Sequence, residues 1–194
     1  MDTLIVTHGA GGNRDAPLLL ALDAAFQSAG VLVSRMNLPF REKRPQGPPF
    51  PGEAERDREA IATAAGEARR YGASRVFLGG HSYGGRQTTM LAASQPGVAD
   101  ALLLLSYPLH PPRKPAQLRT AHWPDLSLPC LFVHGTRDPF GSTGELREAM
   151  SLLPGKSSLM ECEGAGHDLR TKRCESFDQL ALTIVGEFAR FAGL

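Results

Sequence analysis

Short apolar runs alternate with amphipathic stretches along the whole chain. The runs cover 4–9 (LIVTHG), 31–39 (VLVSRMNLP), 75–80 (RVFLGG), 101–108 (ALLLLSYP), 130–135 (CLFVHG) and 158–164 (SLMECEG). Most are continuous rather than alternating, the pattern of parallel strands covered on both faces. Between them, apolar positions recur at helical spacing. Leu18, Leu22, Ala25, Phe26 and Ala29 share one face of a first helix, with Asp15 as N-cap and Gly30 as stop. Ile61, Ala64, Ala65 and Ala68 mark a second helix near 53–71, and a third runs from just after Ser82 to before 95–97 (QPG). Ser142 and Glu145 form a capping box for a fourth, which stops at 154–155 (PG). Phe177, Leu180, Ala181, Ile184, Phe188 and Phe191 make the stripe of the last. This alternation predicts one α/β domain over 1–194, with a mainly parallel sheet of about six strands and helices on both faces.

Two proline-rich segments, 39–51 and 107–124, each follow a strand. Loops leaving strand C-termini surround the ligand crevice of an open α/β sheet, although proline suits a rigid surface connection equally well. Composition narrows the partners. With 42% hydrophobic and 21% charged residues among 194, and a formal charge of +1, neither nucleic acid nor an acidic membrane is favoured as partner. The three cysteines, Cys130, Cys162 and Cys174, lack CxxC or finger spacing, so they read as small buried hydrophobes or incidental thiols. The N-terminus carries no basic start and only a short apolar core, which predicts a cytoplasmic location.

The chemistry concentrates in 80–84, GHSYG, which satisfies G-x-S-x-G between a strand and a helix. A serine there sits on a sharp turn that needs small neighbours, and Gly80 and Gly84 supply the clearance. Serine is a poor nucleophile at neutral pH unless a base takes its proton and a carboxylate orients that base. In this strand–turn–helix context the partners follow in the order Ser, acid, His. Asp138 lies in the loop after the 130–135 run and His167 in the glycine loop after 158–164. Asp168 is a poorer acid because it adjoins His167. An oxyanion hole needs two backbone donors: Tyr83 supplies one, and the 8–12 loop (HGAGG) the other, with Ala10 preferred to Gly11.

With these stretches in order, the chain resembles the α/β-hydrolase superfamily in its small, lidless, dienelactone-hydrolase-like form. It is similar, more narrowly, to the group that includes testis-expressed protein 30. The matching stretches are 8–12, 36–40, 79–86, 103–112, 131–141 and 164–169. The resemblance implies an α/β-hydrolase fold without a cap domain, and places Ser82, Asp138 and His167 as the catalytic triad. The chain departs from that group in having His81 and Tyr83 beside the serine, and from dienelactone hydrolases in having no cysteine at the elbow. It also opens on the strand that should be the superfamily's third, which predicts an exposed edge strand that a homodimer could cover.

The expected activity is therefore a serine hydrolase acting on a small-molecule acyl substrate, an ester or thioester, with no cofactor. The alternative is a non-catalytic binding or scaffold protein on the same fold. The six histidines show no metal-binding spacing, so no metal site is expected. His81 is expected to point away from the crevice as packing, and His134 to be a hydrogen-bonded structural residue. Arg41, Lys43, Arg44, Arg113, Lys114 and Arg119 cluster in the proline-rich loops, with Arg86 just inside the helix after the serine. Ordinary solvated surface is their default reading, and a positive rim selecting anionic substrates the sharper one.

Overall fold

The strands are β1 (Thr3–Thr7), β2 (Leu32–Met36), β3 (Val76–His81), β4 (Ala101–Leu105), β5 (Cys130–Gly135) and β6 (Ser157–Cys162). In the computed structural model, which describes residues 1–171 and 176–194, they form one parallel sheet in the order β2-β1-β3-β4-β5-β6. The four inner strands are buried nearly throughout, whereas β2 and β6 at the edges show partly exposed positions. That contrast explains why the inner strands read as unbroken apolar runs.

The helices are α1 (Pro17–Ser28), α2 (Pro39–Lys43), α3 (Ala54–Arg70), α4 (Tyr83–Ser94), α5 (Thr143–Ala149) and α6 (Asp178–Ala192). α1 and α6 cover one face, where Phe26 and Phe77 both meet the Phe188 ring edge-on at 5.8 and 5.2 Å. α3, α4 and α5 cover the other, over a core that holds Tyr107, Trp123 and Phe132. Burying each such aromatic side chain stabilises the fold by about 1.5–3 kcal/mol. No described helix is long and apolar enough to cross a membrane.

Strand register decides where the chemistry collects. Thr7 pairs with Gly80 and His81 with Leu105, so β1, β3 and β4 end nearly level. The loops that leave them at His8, Ser82 and Ser106 therefore meet at one end of the sheet.

Several expectations shift. Asp15 does not cap α1; the helix starts at Pro17 after Ala16, and Asp15 instead pairs with Arg35 at 2.9 Å. Proline suits the first helical position, where its missing N–H is no loss, and the Leu19 N–H finds the Ala16 carbonyl at 2.9 Å in place of a side-chain cap. The second strand stops at Met36, and the first proline-rich segment contains α2, which Pro39 opens. The Ser142–Glu145 capping box is present, with both reciprocal bonds formed. Cys130 and Cys162 are buried, and burial pushes their thiols up to about 12 and 11, so neither is a ready thiolate. Cys174 lies outside the described residues.

Candidate active site

Ser82 occupies the turn between β3 and α4 with φ 51 and ψ −112, a backbone that L-residues rarely adopt. The turn is forced by close packing. A methyl group on Gly84 would run into Thr7 Oγ1 and the His8 carbonyl, and one on Gly80 into the Gly84–Gly85 peptide. Strand and helix thus approach to a distance that leaves Ser82 no relaxed conformation.

Two later loops converge on that serine. His167 Nε2 lies 2.7 Å from Ser82 Oγ, and His167 Nδ1 lies 2.8 Å from Asp138 Oδ2. The Asp138 side chain is fully buried, and its other oxygen accepts the Phe140 N–H at 2.8 Å. With both carboxylate oxygens occupied, Asp138 holds the imidazole in one orientation, which leaves Nε2 free to act on the hydroxyl. The Phe140 ring stacks on His167 at 4.1 Å and fixes its plane. Gly135 allows the two loops to touch: a Cβ there would overlap the Ala165 carbonyl. They are then stitched by Arg137 N–H to Ala165 C=O and by Gly164 N–H to Thr136 Oγ1.

Asp168 is turned outward, 65% exposed and 3.9 Å from Arg170, so it does not compete for His167. His134 donates from Nε2 to the Gly141 carbonyl at 2.8 Å, the structural role expected of it. His81 corrects its expectation. It borders the cavity in front of Ser82, and its Nε2 bonds the His167 carbonyl at 2.8 Å. Its ring packs 5.4 Å from that of His167, and burial holds its pKa below the usual value. A sequence shows that His81 precedes the serine but not how far the strained turn rotates its side chain toward the loop opposite.

The 8–12 loop is held by hydrogen bonds. Leu38 N–H donates to His8 Nε2, so His8 carries its proton on Nδ1 and donates it to the Gly9 carbonyl at 2.8 Å. Gly12 N–H gives that carbonyl a second bond at 3.0 Å. No cis peptide is present among the described residues, so the Ala10 N–H points opposite to this doubly held oxygen. Burial lowers the His8 pKa, which keeps the ring neutral. Arg41 holds the rest of the loop. Its buried guanidinium donates to the carbonyls of Ala10 and Gly12, both at 2.7 Å, and to those of Arg44 and Gly47. Arg44 is engaged in turn by Glu53 at 2.7 Å. Neither arginine is free rim charge, because Arg41 on α2 and Arg44 just after it are both tied into the scaffold. Sequence reasoning missed this role for Arg41; the only signal was its place directly after Phe40.

A cavity of about 480 Å³ opens beside Ser82. Leu18, Leu19, Phe140 and Phe177 line it along with Ala10, His81 and His167. Its walls are mostly apolar, which suits a hydrocarbon portion of a ligand. Among the described residues, no group of three or more His, Cys, Asp or Glu is arranged to hold a metal ion. Chemically, the arrangement can move a proton from a strained hydroxyl to an oriented imidazole at the mouth of an apolar cavity.

The profile of the alpha/beta hydrolase domain family matches residues 1–191. Among solved structures, a dienelactone hydrolase from Anabaena variabilis superimposes with a TM-score of 0.79 at 18% identity, covering 98% of this chain and 87% of that one. Est1E from Butyrivibrio proteoclasticus, solved with ferulic acid bound, gives 0.77 at 14% identity over 100% and 90%. XC6422 from Xanthomonas campestris, a serine hydrolase without a lid, gives 0.70 at 14% over 96% and 81%. Over 73 residues, 38% of this chain, the sequence is 36% identical to polyketide synthase ThaQ of Burkholderia thailandensis, a stretch that spans only 4% of that protein. The chain belongs to the α/β-hydrolase family, and its fold is like that of the dienelactone hydrolase and the lidless serine hydrolase.

Proposed function

We propose that this member of the α/β-hydrolase family is a serine hydrolase that cleaves a small carboxylic ester or thioester. The observation that carries this reading is the continuous relay from Asp138 through His167 to Ser82, at 2.8 and 2.7 Å, on a strained turn. Ser82 attacks the acyl carbonyl while His167 Nε2 takes its proton. The imidazolium then protonates the leaving group, and Asp138 stabilises the charged ring without itself becoming protonated. Negative charge on the former carbonyl oxygen falls to the Tyr83 and Ala10 N–H groups. The Tyr83 N–H has no intrahelical acceptor because it opens α4. Water activated by His167 then releases the acyl-enzyme, so the cycle needs no cofactor. The apolar cavity receives the acyl chain.

A panel of p-nitrophenyl esters and matched thioesters of rising acyl length tests the reading. Turnover that ends in Ser82→Ala and His167→Ala proteins of unchanged fold is expected. Turnover that persists in Ser82→Ala overturns it.

A further inference from the structure

Several arginines of this protein pair with carboxylates: Arg35 with Asp15 and Asp23, Arg44 with Glu53, Arg69 with Asp100, Arg75 with Asp2. Arg86 is different. Among the described residues no acceptor meets its side chain, and its Nε is buried without a partner. A buried charged donor with nothing to bond is costly, so its retention calls for an explanation.

Its neighbours sharpen the point, because two of them, Arg58 and Arg119, are guanidiniums as well. Arg58 on α3 reaches across to Gln87 Oε1 at 2.9 Å, one residue beyond Arg86. His122 sits against Thr89 Oγ1 at 2.9 Å, and Thr89 in turn donates to the Arg86 carbonyl. Arg119 is tied in through its carbonyl, which accepts the Tyr107 hydroxyl at 2.7 Å, and through a 3.4 Å bond to the Pro108 carbonyl. Neither Arg58 nor Arg119 meets a carboxylate among the described residues. These charges act on one another: burial and then Arg86 hold Arg119 below its usual pKa. Burial, then Arg86 and Arg58, push His122 down to about 4, so His122 is neutral at physiological pH and the guanidiniums of Arg58 and Arg86 carry the charge beside it. All four side chains remain partly open to solvent.

The location ties this cluster to the nucleophile. Arg86 N–H donates to the Ser82 carbonyl at 3.0 Å, which places the two residues one turn, about 6 Å, apart along α4. The apolar cavity opens under α1 and the Phe177 segment, whereas Arg58 and Arg86 stand on the helices of the opposite sheet face. Ser82 lies at the seam between an apolar side and a cationic side.

We propose that Arg58, Arg86 and Arg119 form an anion subsite that binds a phosphate group carried by the leaving group of the substrate. Three guanidiniums without an internal carboxylate offset the roughly two negative charges of a phosphate monoester and can engage its oxygens in parallel pairs of bonds. The substrate class is then an apolar acyl chain, seated in the cavity, esterified to a phosphate-bearing alcohol or thiol. This deepens the hydrolase reading of Ser82 and rests on it.

Two measurements test it and keep the two readings apart. In steady-state assays, 4-(butyryloxy)phenyl phosphate is compared with neutral 4-methoxyphenyl butyrate and with 4-carboxyphenyl butyrate. Wild type is expected to favour the phosphate ester over the neutral one by tenfold or more in kcat/KM. That ratio is expected to fall toward one in Arg86→Gln and Arg58→Gln, and to stay high in Arg113→Gln, an exposed control. Equal ratios in wild type and Arg86→Gln overturn the subsite, as does an equal loss in Arg113→Gln. A preference for the carboxylate ester over the phosphate ester overturns the assignment to phosphate. Calorimetric titration of phenyl phosphate into Ser82→Ala protein reads the site without turnover. Binding weakened at least tenfold by adding Arg86→Gln supports the proposal; no binding, or binding untouched by that change, overturns it. Binding of this kind without turnover of any ester would leave the anion site standing and sink the hydrolase reading. An Arg86 kept only for the fold would lower the melting temperature when replaced by Gln, whereas relief of like-charge repulsion leaves it level or raised.

Discussion

The turn at Ser82 and the loop at Ala10 each bring one group to the end of a strand, and they do so by different physics. The turn is steric: Gly80 and Gly84 sit where any side chain would strike backbone or Thr7, and Ser82 takes a strained conformation because nothing else fits. The loop is polar: His8 and Arg41 bond five of its own and neighbouring carbonyls, and without those donors the loop has no fixed course. Steric placement is local and tolerates no added atom. Hydrogen-bonded placement is long-range, since it depends on α2, and it does not tolerate the loss of a donor.

The largest expected effect lies where the steric turn meets its base. Asp138→Asn keeps the shape of the site but offers an amide where His167 needs a carboxylate. A loss of about 10⁴-fold in kcat is expected, with little change in KM. A loss below tenfold would mean that His167 is oriented by its Phe140 and His81 contacts alone.

Gly84→Ala comes next and tests the steric side directly. The added methyl meets the Thr7 side chain, held in the core, and the His8 carbonyl, backbone that cannot retreat, so a destabilisation of about 3 kcal/mol is expected in urea unfolding. A stable Gly84→Ala protein would show that strand and helix can part, and would remove the contrast with the loop.

Arg41→Lys probes the polar side. A single ammonium cannot fork across the Ala10, Gly12, Arg44 and Gly47 carbonyls as a guanidinium does. A fall of roughly 10²-fold in kcat, with KM nearly unchanged, is expected from a misplaced oxyanion donor. A parallel rise in KM without loss of kcat would instead place Arg41 in substrate binding.

The smallest effect is a pH dependence. Burial lowers the pKa of His8 and of His81 in the folded protein below the value of 6.5 that each has when unfolded. Below pH 6.5 the unfolded chain takes up protons that the native rings refuse. Stability is therefore full above that pH and falls as pH drops toward the lowered values. Urea unfolding at pH 7.5 and 5.5 should show this slope, and His8→Gln should flatten it by removing the loop's share. An unchanged slope in His8→Gln would leave His81 and His122, whose pKa values are also lowered, as its sources.

The same division explains how much could be read from the chain. Everything set by local sterics or strand order was legible: the six strands, the glycines around Ser82, the Ser142–Glu145 cap, and the order that places Asp138 and His167 after later strands. Contacts made by long side chains across elements were not. Arg41 reads as surface charge until α2 folds it inward, and His81 reads as packing until the strained turn swings it against the His167 loop. Asp15 reads as a cap because its neighbours suit one, but the helix starts two residues later at Pro17 and Arg35 offers Asp15 a charge. The cationic cluster at Arg86 is scattered over three segments, and only helix packing assembles it.

The central claim is that Ser82 is the nucleophile of this relay. Incubation with a fluorophosphonate probe, followed by intact and peptide mass spectrometry, tests it most directly. One adduct per chain is expected, on Ser82, formed far more slowly in His167→Ala and absent in Ser82→Ala. Folded wild-type protein that stays unlabelled, or an adduct on another residue, would contradict it.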